Sequence, residues 1–165
     1  MKKVLVTGAL GQLGTELQLL TAGRPEFVFT DVRTEGPVRA LDILDPGAIA
    51  QLVDEEEIGT LINCAAYTNV DLAESQQELC QAINADGPGN LARIATRKNL
   101  TLIHISTEYV FDGRNPAGYS ETARRHPCPL MDAASATART GSDAAVAAAS
   151  SSARPGSILR SARIS

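Results

Sequence analysis

The segment "TGALGQLG" sets Gly8, Gly11 and Gly14 at three-residue intervals, directly after a short β-branched apolar run and directly before a helical pattern. Lys3 to Thr7, "KVLVT", reads as a buried strand, and Leu13, Leu17 and Leu20 recur at helical spacing. A chain that passes from strand to helix through such a turn presents bare main-chain N–H groups at the positive end of a helix dipole. That is a place to hold a pyrophosphate, and side chains at the contact positions would block its approach. The third glycine, Gly14, lets the helix pack close to the first strand. An acid follows at Asp31, close to the offset of ~20 residues expected for a carboxylate that contacts a ribose. Asp31 favours the free 2′-hydroxyl of NADH, whereas Arg33 nearby suits the 2′-phosphate of NADPH, so the residues leave the choice between the two cofactors open.

Further along, "EFVFTD" reads as a second strand ending at Asp31, and "DPGAIAQLV" as a short helix with Pro46 in its first turn. "IGTLINCAAY" is a third strand, and Leu72 to Lys98 is mainly helical, broken or bent at "DGPG". "NLTLIHIS" is a fourth strand. Strands and helices alternate with no hairpin signal. That order predicts an α/β fold: a doubly wound parallel sheet with helices on both faces, in three α/β/α layers.

Composition narrows the function classes. The net charge is −4 and the basic residues form no long cluster, which argues against nucleic acid as a partner. No stretch approaches the ~18 apolar residues of a membrane span, and the glycines interrupt the run that would otherwise mimic a secretion signal. Three cysteines, Cys64, Cys80 and Cys128, at no motif spacing predict a reduced, cytoplasmic chain. His126 and Cys128 are too few for a closed metal site, so no metal is expected.

Three further strings, "NCAAYTNVDLAES" (63–75), "AINADGPGNLA" (82–92) and "HISTEYVFDG" (104–113), together with the glycine spacing, resemble the dTDP-4-dehydrorhamnose reductase family of the extended short-chain dehydrogenase/reductase superfamily. The resemblance covers residues 1 to about 122 and returns at "ILRSARIS". It implies a Rossmann-type fold, a cytoplasmic enzyme, NADPH or NADH as cofactor, a dTDP-sugar substrate and, in an intact form, a homodimer. It implies that Gly11, Gln12 and Leu13 line the pyrophosphate beside Gly8 and Gly14, with Asp31 at the adenosine ribose. Asp42 and Ile43 would flank the adenine, and Ala65, Ala66 and Tyr67 would follow the cofactor toward the nicotinamide. Thr107 would hydrogen-bond the reacting carbonyl and Glu108 would sit beside the substrate, where the family more usually has Asp. Asn84 is either the residue that holds a helix bend open or a simple cap.

The same resemblance exposes a departure. The family places a Tyr-x-x-x-Lys pair just after the proline-leucine step, here Pro129-Leu130, and by that spacing it falls at 133 and 137. Those residues are Ala133 and Thr137, with no tyrosine after Tyr119 and no lysine after Lys98. The chain therefore divides into an NAD(P)-binding domain at 1–122, an Ala/Ser-rich low-complexity segment at 123–156 with little to bury, and a returning strand at 157–165. The middle segment reads either as family sequence in a displaced frame or as a natural linker. The family's C-terminal portion, which helps hold the sugar nucleotide, would lie beyond Ser165. Three functions follow as expectations: reduction of dTDP-4-dehydrorhamnose to dTDP-L-rhamnose, impaired in this chain; a non-catalytic NAD(P)-binding role similar to the methionine adenosyltransferase regulatory subunit; or an inactive truncated product.

Overall fold

The computed structural model describes residues 1–69, 75–106 and 120. They form a five-stranded, all-parallel sheet: β1 Lys3–Thr7, β2 Phe27–Asp31, β3 Arg39–Ala40, β4 Ile58–Asn63 and β5 Thr101–His104. The spatial order is β3-β2-β1-β4-β5. The helices are α1 Gln12–Leu20, α2 Pro46–Glu55, α3 Gln77–Gln81 and α4 Gly87–Lys98, with a π-helical turn at Ala82–Asp86 joining the last two. The chain order steps one way across the sheet from β1 to β3 and then jumps back over β1 to β4. With right-handed crossovers, that reversal puts α1 on one face and α2 on the other. The doubly wound α/β prediction is borne out.

The register shows where the core sits. Leu5 pairs with Val28 on one side and Leu61 on the other, and Leu61 with Leu102. All four belong to one buried cluster with Ile49, Leu52 and Val53 of α2 and Leu91, Ile94 and Ala95 of α4. Alternation sends their neighbour Val6 to the opposite face, where it is also fully buried. A parallel strand buried on both faces has to read as a continuous apolar run, as "KVLVT" does.

The helix read from Leu72 begins, among the described residues, at Gln77, with Ser75 and Gln76 outside it; four further boundaries depart from the sequence reading, each for a local reason. The third predicted strand, "IGTLINCAAY", stops at Asn63 because, after a last rung from the Cys64 amide to Thr7 O (3.0 Å), the Asn63 side chain takes the amide of Ala65. The strand predicted over "NLTLIHIS" starts at Thr101 because Asn99 ends α4 in the left-handed region, at φ +52°. The expected break at "DGPG" is instead a change of pitch. The π turn ends just before Gly87, and Pro88 occupies the first turn of α4, where a missing N–H costs nothing. Finally, β3 was not foreseen: two exposed residues beside β2, held by the Leu41 amide donating to Asp31 O (2.8 Å), carry no periodicity.

The leucines of α1 also differ from a simple buried stripe. Leu13 and Leu20 are 41% and 78% exposed, and Gly14 is the helix's one fully buried residue. In α2 the expected start is present: Asp45 caps the helix by accepting from the Gly47 and Ala48 amides (2.9 and 3.0 Å), with Pro46 at the first position. The boundaries foreseen at 122 and 156 lie outside the described residues.

At the amino edge of the sheet, Glu56 just past α2 binds Lys3 of β1 (2.6 Å) and Arg39 of β3. Those hydrogen bonds, Lys3 first, hold the Glu56 carboxyl below its ordinary value of 4.5. A depressed carboxylate adds stability that is present above 4.5 and lost as pH falls through its lower folded value. Glu56→Gln is therefore expected to lower Tm at pH 7, with the gap to the parent closing as pH drops below about 4.5. Thermal melts of both proteins across that range check it; a gap that stays constant to pH 3 removes the ion pair from the account.

Candidate functional site

The strand order reverses between β1 and β4, so the crevice of a doubly wound sheet opens above their carboxyl ends. Gly8 sits there with φ +69°, and a Cβ on it would lie 2.4 Å from the Ala65 amide nitrogen and 2.6 Å from the Cys64 carbonyl carbon. Left-handed backbone and a main-chain contact both exclude a side chain. Gly14 meets the same loop from the helix: its Cβ would fall 2.3 Å from Gly8 O and 2.5 Å from Ala9 Cα. The two glycines thus bring the first turn of α1, the end of β1 and the end of β4 into main-chain contact.

The loop between them hangs from β2. The Ala9 amide donates to Thr30 O (3.0 Å), the Leu10 amide to Asp31 Oδ2 (3.0 Å), and the Gly11 amide to Gly8 O (3.2 Å). Gly11 is the N-cap of α1 and brings no side chain to that end, and the helix has no acidic residue in its first turn. Gln12 and Leu13 are exposed. The amides of that turn therefore meet no competing carboxylate, and the positive end of the helix faces the crevice mouth. The geometry is that of an anion cradle made of main chain.

Of the residues singled out in the sequence, Gly8, Gly11, Gln12, Leu13, Gly14 and Asp31 come together here. Asp31 also ties the loop to β2, and its Oδ1 accepts the Arg33 amide (3.3 Å). The Arg33 side chain is exposed and forms no ion pair among the described residues. Asp42 is exposed and turns one oxygen to the Leu44 amide (2.8 Å). The Ile43 side chain is 4% exposed, inside the core, and its carbonyl accepts from Asn90 Nδ2 (3.0 Å). A flat ring beside residue 43 would meet backbone and not that side chain. Ala65, Ala66 and Tyr67 leave β4 along the crevice, Ala65 half-buried beneath Gly8 and Ala66 exposed. Thr107 and Glu108 lie outside the described residues, as do Ala133, Thr137, His126 and Cys128.

Asn84 does more than cap. From the π turn its Oδ1 accepts the Tyr67 amide (2.8 Å) and its Nδ2 donates to the Tyr67 carbonyl (3.1 Å). One side-chain amide thereby satisfies both main-chain groups of a residue that has left the sheet. The Tyr67 hydroxyl donates to Gln76 Oε1 (3.0 Å).

The residues that sequence reasoning missed are Thr7, Asn63 and His104, the last residues of β1, β4 and β5. Asn63 is fully buried, and its Oδ1 accepts from Thr7 Oγ1 (2.6 Å) and from the Ala65 amide (3.1 Å). Its Nδ2 lies 3.0 Å from His104 Nδ1. The available signal was that three apolar runs, "KVLV", "TLI" and "TLI", each end in one polar residue at the carboxyl edge. Beside Asn63, burial pushes the Cys64 thiol up to about 11, so it is a neutral packing group at pH 7 and no nucleophile. Among the described residues no three His, Cys, Asp or Glu side chains converge on a metal position, and no helix is long and apolar enough to cross a membrane.

A parallel sheet that reverses its order over a glycine-lined turn, with the first helix aimed at the crevice, defines a Rossmann-type α/β domain. The chain matches the family model described as RmlD substrate binding domain over residues 1–154. It belongs to that family, whose relatives include the dTDP-4-dehydrorhamnose reductases. It is 39% identical over 132 residues to dTDP-4-dehydrorhamnose reductase of Mycobacterium tuberculosis (strain ATCC 25618 / H37Rv), covering 76% of this chain and 40% of that one. Among solved structures it is similar to a dTDP-4-dehydrorhamnose reductase from Bacillus anthracis str. Ames in complex with NADP, at 37% identity and TM-score 0.72, covering 84% of this chain and 48% of that one. A dTDP-4-dehydrorhamnose reductase from Clostridium acetobutylicum ATCC 824 gives 39% identity and TM-score 0.69, covering 78% and 44%. The chain thus spans less than half the length of these relatives.

Gly8→Ala is expected to destabilise the domain by at least ~2 kcal/mol, since left-handed strain contributes about 1–2 kcal/mol and overpacking about 1–3 kcal/mol. Gly11→Ala, at an exposed site with φ −77°, should cost under ~1 kcal/mol. Urea denaturation of the two variants checks the contrast, and equal losses would remove the close approach as its cause.

Proposed function

We propose that this domain binds NADPH and that the chain derives from a reductase of dTDP-4-dehydrorhamnose, the product being dTDP-L-rhamnose. The observation that carries the reading is the cradle: two positions where a Cβ would overlap main chain within 2.6 Å, beside a helix start bare of side-chain caps and acids. Those residues fit a dinucleotide diphosphate. In the reading, the amides of Gln12 and Leu13 bind it and Gly11, its own amide taken by Gly8 O (3.2 Å), lines it without a side chain; Asp31 keeps a lone pair for the adenosine ribose, and Ala65 and Ala66 offer a surface flat enough for the nicotinamide arm. A nicotinamide cofactor held there supplies a hydride donor.

On this chain's side, Thr107 follows the end of β5 by three residues, and its hydroxyl would donate to the sugar ketone oxygen as negative charge develops. Glu108 would flank the sugar. Proton delivery is the weak step. Ala133 and Thr137 stand where the family resemblance calls for tyrosine and lysine, and positioned general acid catalysis contributes ~10²–10⁴-fold. The same observation favours a second reading, a domain that binds cofactor without turnover. An intact relative would act as a cytoplasmic homodimer.

Fluorescence titration with NADPH and a dTDP-4-dehydrorhamnose reduction assay test this together. Saturable binding is expected, with turnover at least ~10²-fold below that of a relative carrying the Tyr-x-x-x-Lys pair. Turnover equal to the relative's would show that proton transfer does not need the pair, and absence of binding would remove the cofactor reading.

Cofactor choice follows from the Arg33 guanidinium. Asp31 is occupied by two loop amides, whereas Arg33 is exposed and without an ion pair among the described residues. Arg33 would pair with the 2′-phosphate of NADPH. Arg33→Ala is expected to raise the NADPH Kd by about tenfold or more, a charge-assisted hydrogen bond being worth ~1.5–3 kcal/mol, and to leave NADH binding unchanged. Parallel titrations with both cofactors decide it.

A further inference from the structure

We infer that Asn63 and His104 form a positioning pair, in which Asn63 holds the Ala65 amide at the crevice through one atom and fixes the His104 tautomer through the other. The inference rests on the cofactor reading above for its functional half. Its chemistry comes from the donors and acceptors alone. The Ala65 amide can only donate, so the atom 3.1 Å from it must be the Asn63 oxygen. Thr7 Oγ1, 2.6 Å from the same oxygen, then acts as its second donor. That leaves the Asn63 NH₂ facing His104 Nδ1 at 3.0 Å. An NH₂ group donates, so Nδ1 must offer a lone pair, and the ring proton sits on Nε2.

The arrangement joins three strands at the carboxyl edge. Thr7 ends β1, Asn63 ends β4 and His104 ends β5, and the backbone reinforces them, with the Cys64 amide on Thr7 O (3.0 Å) and the Ile105 amide on Asn63 O (3.2 Å). Ala65 is also the residue whose nitrogen a Gly8 side chain would strike. One buried amide thus touches both the crevice floor at Ala65 and Nδ1 of His104, three residues before Thr107. Protonating Nδ1 would set donor against donor beside the fully buried Asn63, so the neutral ring is the form compatible with the floor.

The test reads the ring directly. Nitrogen-15 spectra of the histidine side chains at pH 7.5 are expected to show His104 Nδ1 as pyridine-type and Nε2 as the protonated nitrogen, the chain's other histidine being identified by its loss in His126→Gln. A protonated Nδ1 in the parent protein overturns the assignment without any variant having to fold. For the positioning role, His104→Phe removes the acceptor and is expected to weaken NADPH binding about tenfold, equivalent to ~1.4 kcal/mol. His104→Gln, whose carbonyl can accept from Asn63, should stay within about threefold of the parent. Equal weakening by both variants overturns the role, since loss of packing alone would not distinguish them. A parent protein with the expected tautomer that binds no NADPH overturns the cofactor reading and the positioning role with it, while the tautomer assignment stands.

Discussion

The approach of Gly8 to the Cys64–Ala65 peptide governs the carboxyl edge of this sheet. Two adjacent parallel strands have to release their chains in different directions there, β1 into α1 and β4 along the crevice. They part within main-chain contact of each other, because a Cβ at Gly8 would lie 2.4 Å from the next strand's amide. The left-handed turn at Gly8 then aims α1 back over the sheet, and Gly14 seats the helix on the loop it has just left. Remove that contact and the first helix must rise from the sheet, carrying its N-terminus away from the crevice mouth. The direction of the helix dipole is thus a consequence of a steric fact about one residue.

Polar burial follows the same geography. Within the sheet the core is aliphatic, but Thr7, Thr30 and Asn63 are nearly or fully buried and all lie at or beside the carboxyl ends of strands. Each is hydrogen-bonded, and among the described residues no buried side-chain polar atom lacks a partner. A satisfied buried amide adds little net stability over an apolar residue of its shape, yet an unsatisfied one costs ~1–3 kcal/mol. Such groups therefore narrow the permitted arrangements more than they strengthen any one of them. Asn63 accepts two bonds and makes a third with His104, so a slip of β4 by one residue would leave at least three polar groups unpaired. Asn84 performs a similar task one layer out, where the π turn supplies the displacement that lets its amide meet both polar groups of Tyr67.

This division explains what the amino-acid order disclosed. Strands buried on both faces announce themselves as apolar runs, and "KVLVT" and "TLIN" were legible for that reason, as was the α2 start at Asp45-Pro46. The glycine turn was legible because its spacing reports a backbone requirement and not a packing preference. The burial of the Ile43 side chain was not, because a side chain's direction cannot be read from a motif. The polar strand ends escaped because a lone Asn or His after an apolar run looks like the beginning of a loop. Their significance appears only when register sets them side by side. The two-residue β3 had no period to detect.

Recognition and chemistry draw on separate stretches of this chain. Every residue of the cradle, from Gly8 to Tyr67, is placed by the sheet and its first helices, and the Asn84 brace comes from the helix run that follows. The positions to which the family resemblance assigns proton transfer are 133 and 137, and they hold Ala133 and Thr137. Contacts to a diphosphate are the same before and at the transition state, so they add affinity without lowering the barrier to the chemical step. Only groups that meet the developing alkoxide can do that. Under the proposed function, the diphosphate's share of cofactor affinity is therefore independent of tyrosine and lysine at 133 and 137, and binding and turnover are free to diverge in one polypeptide.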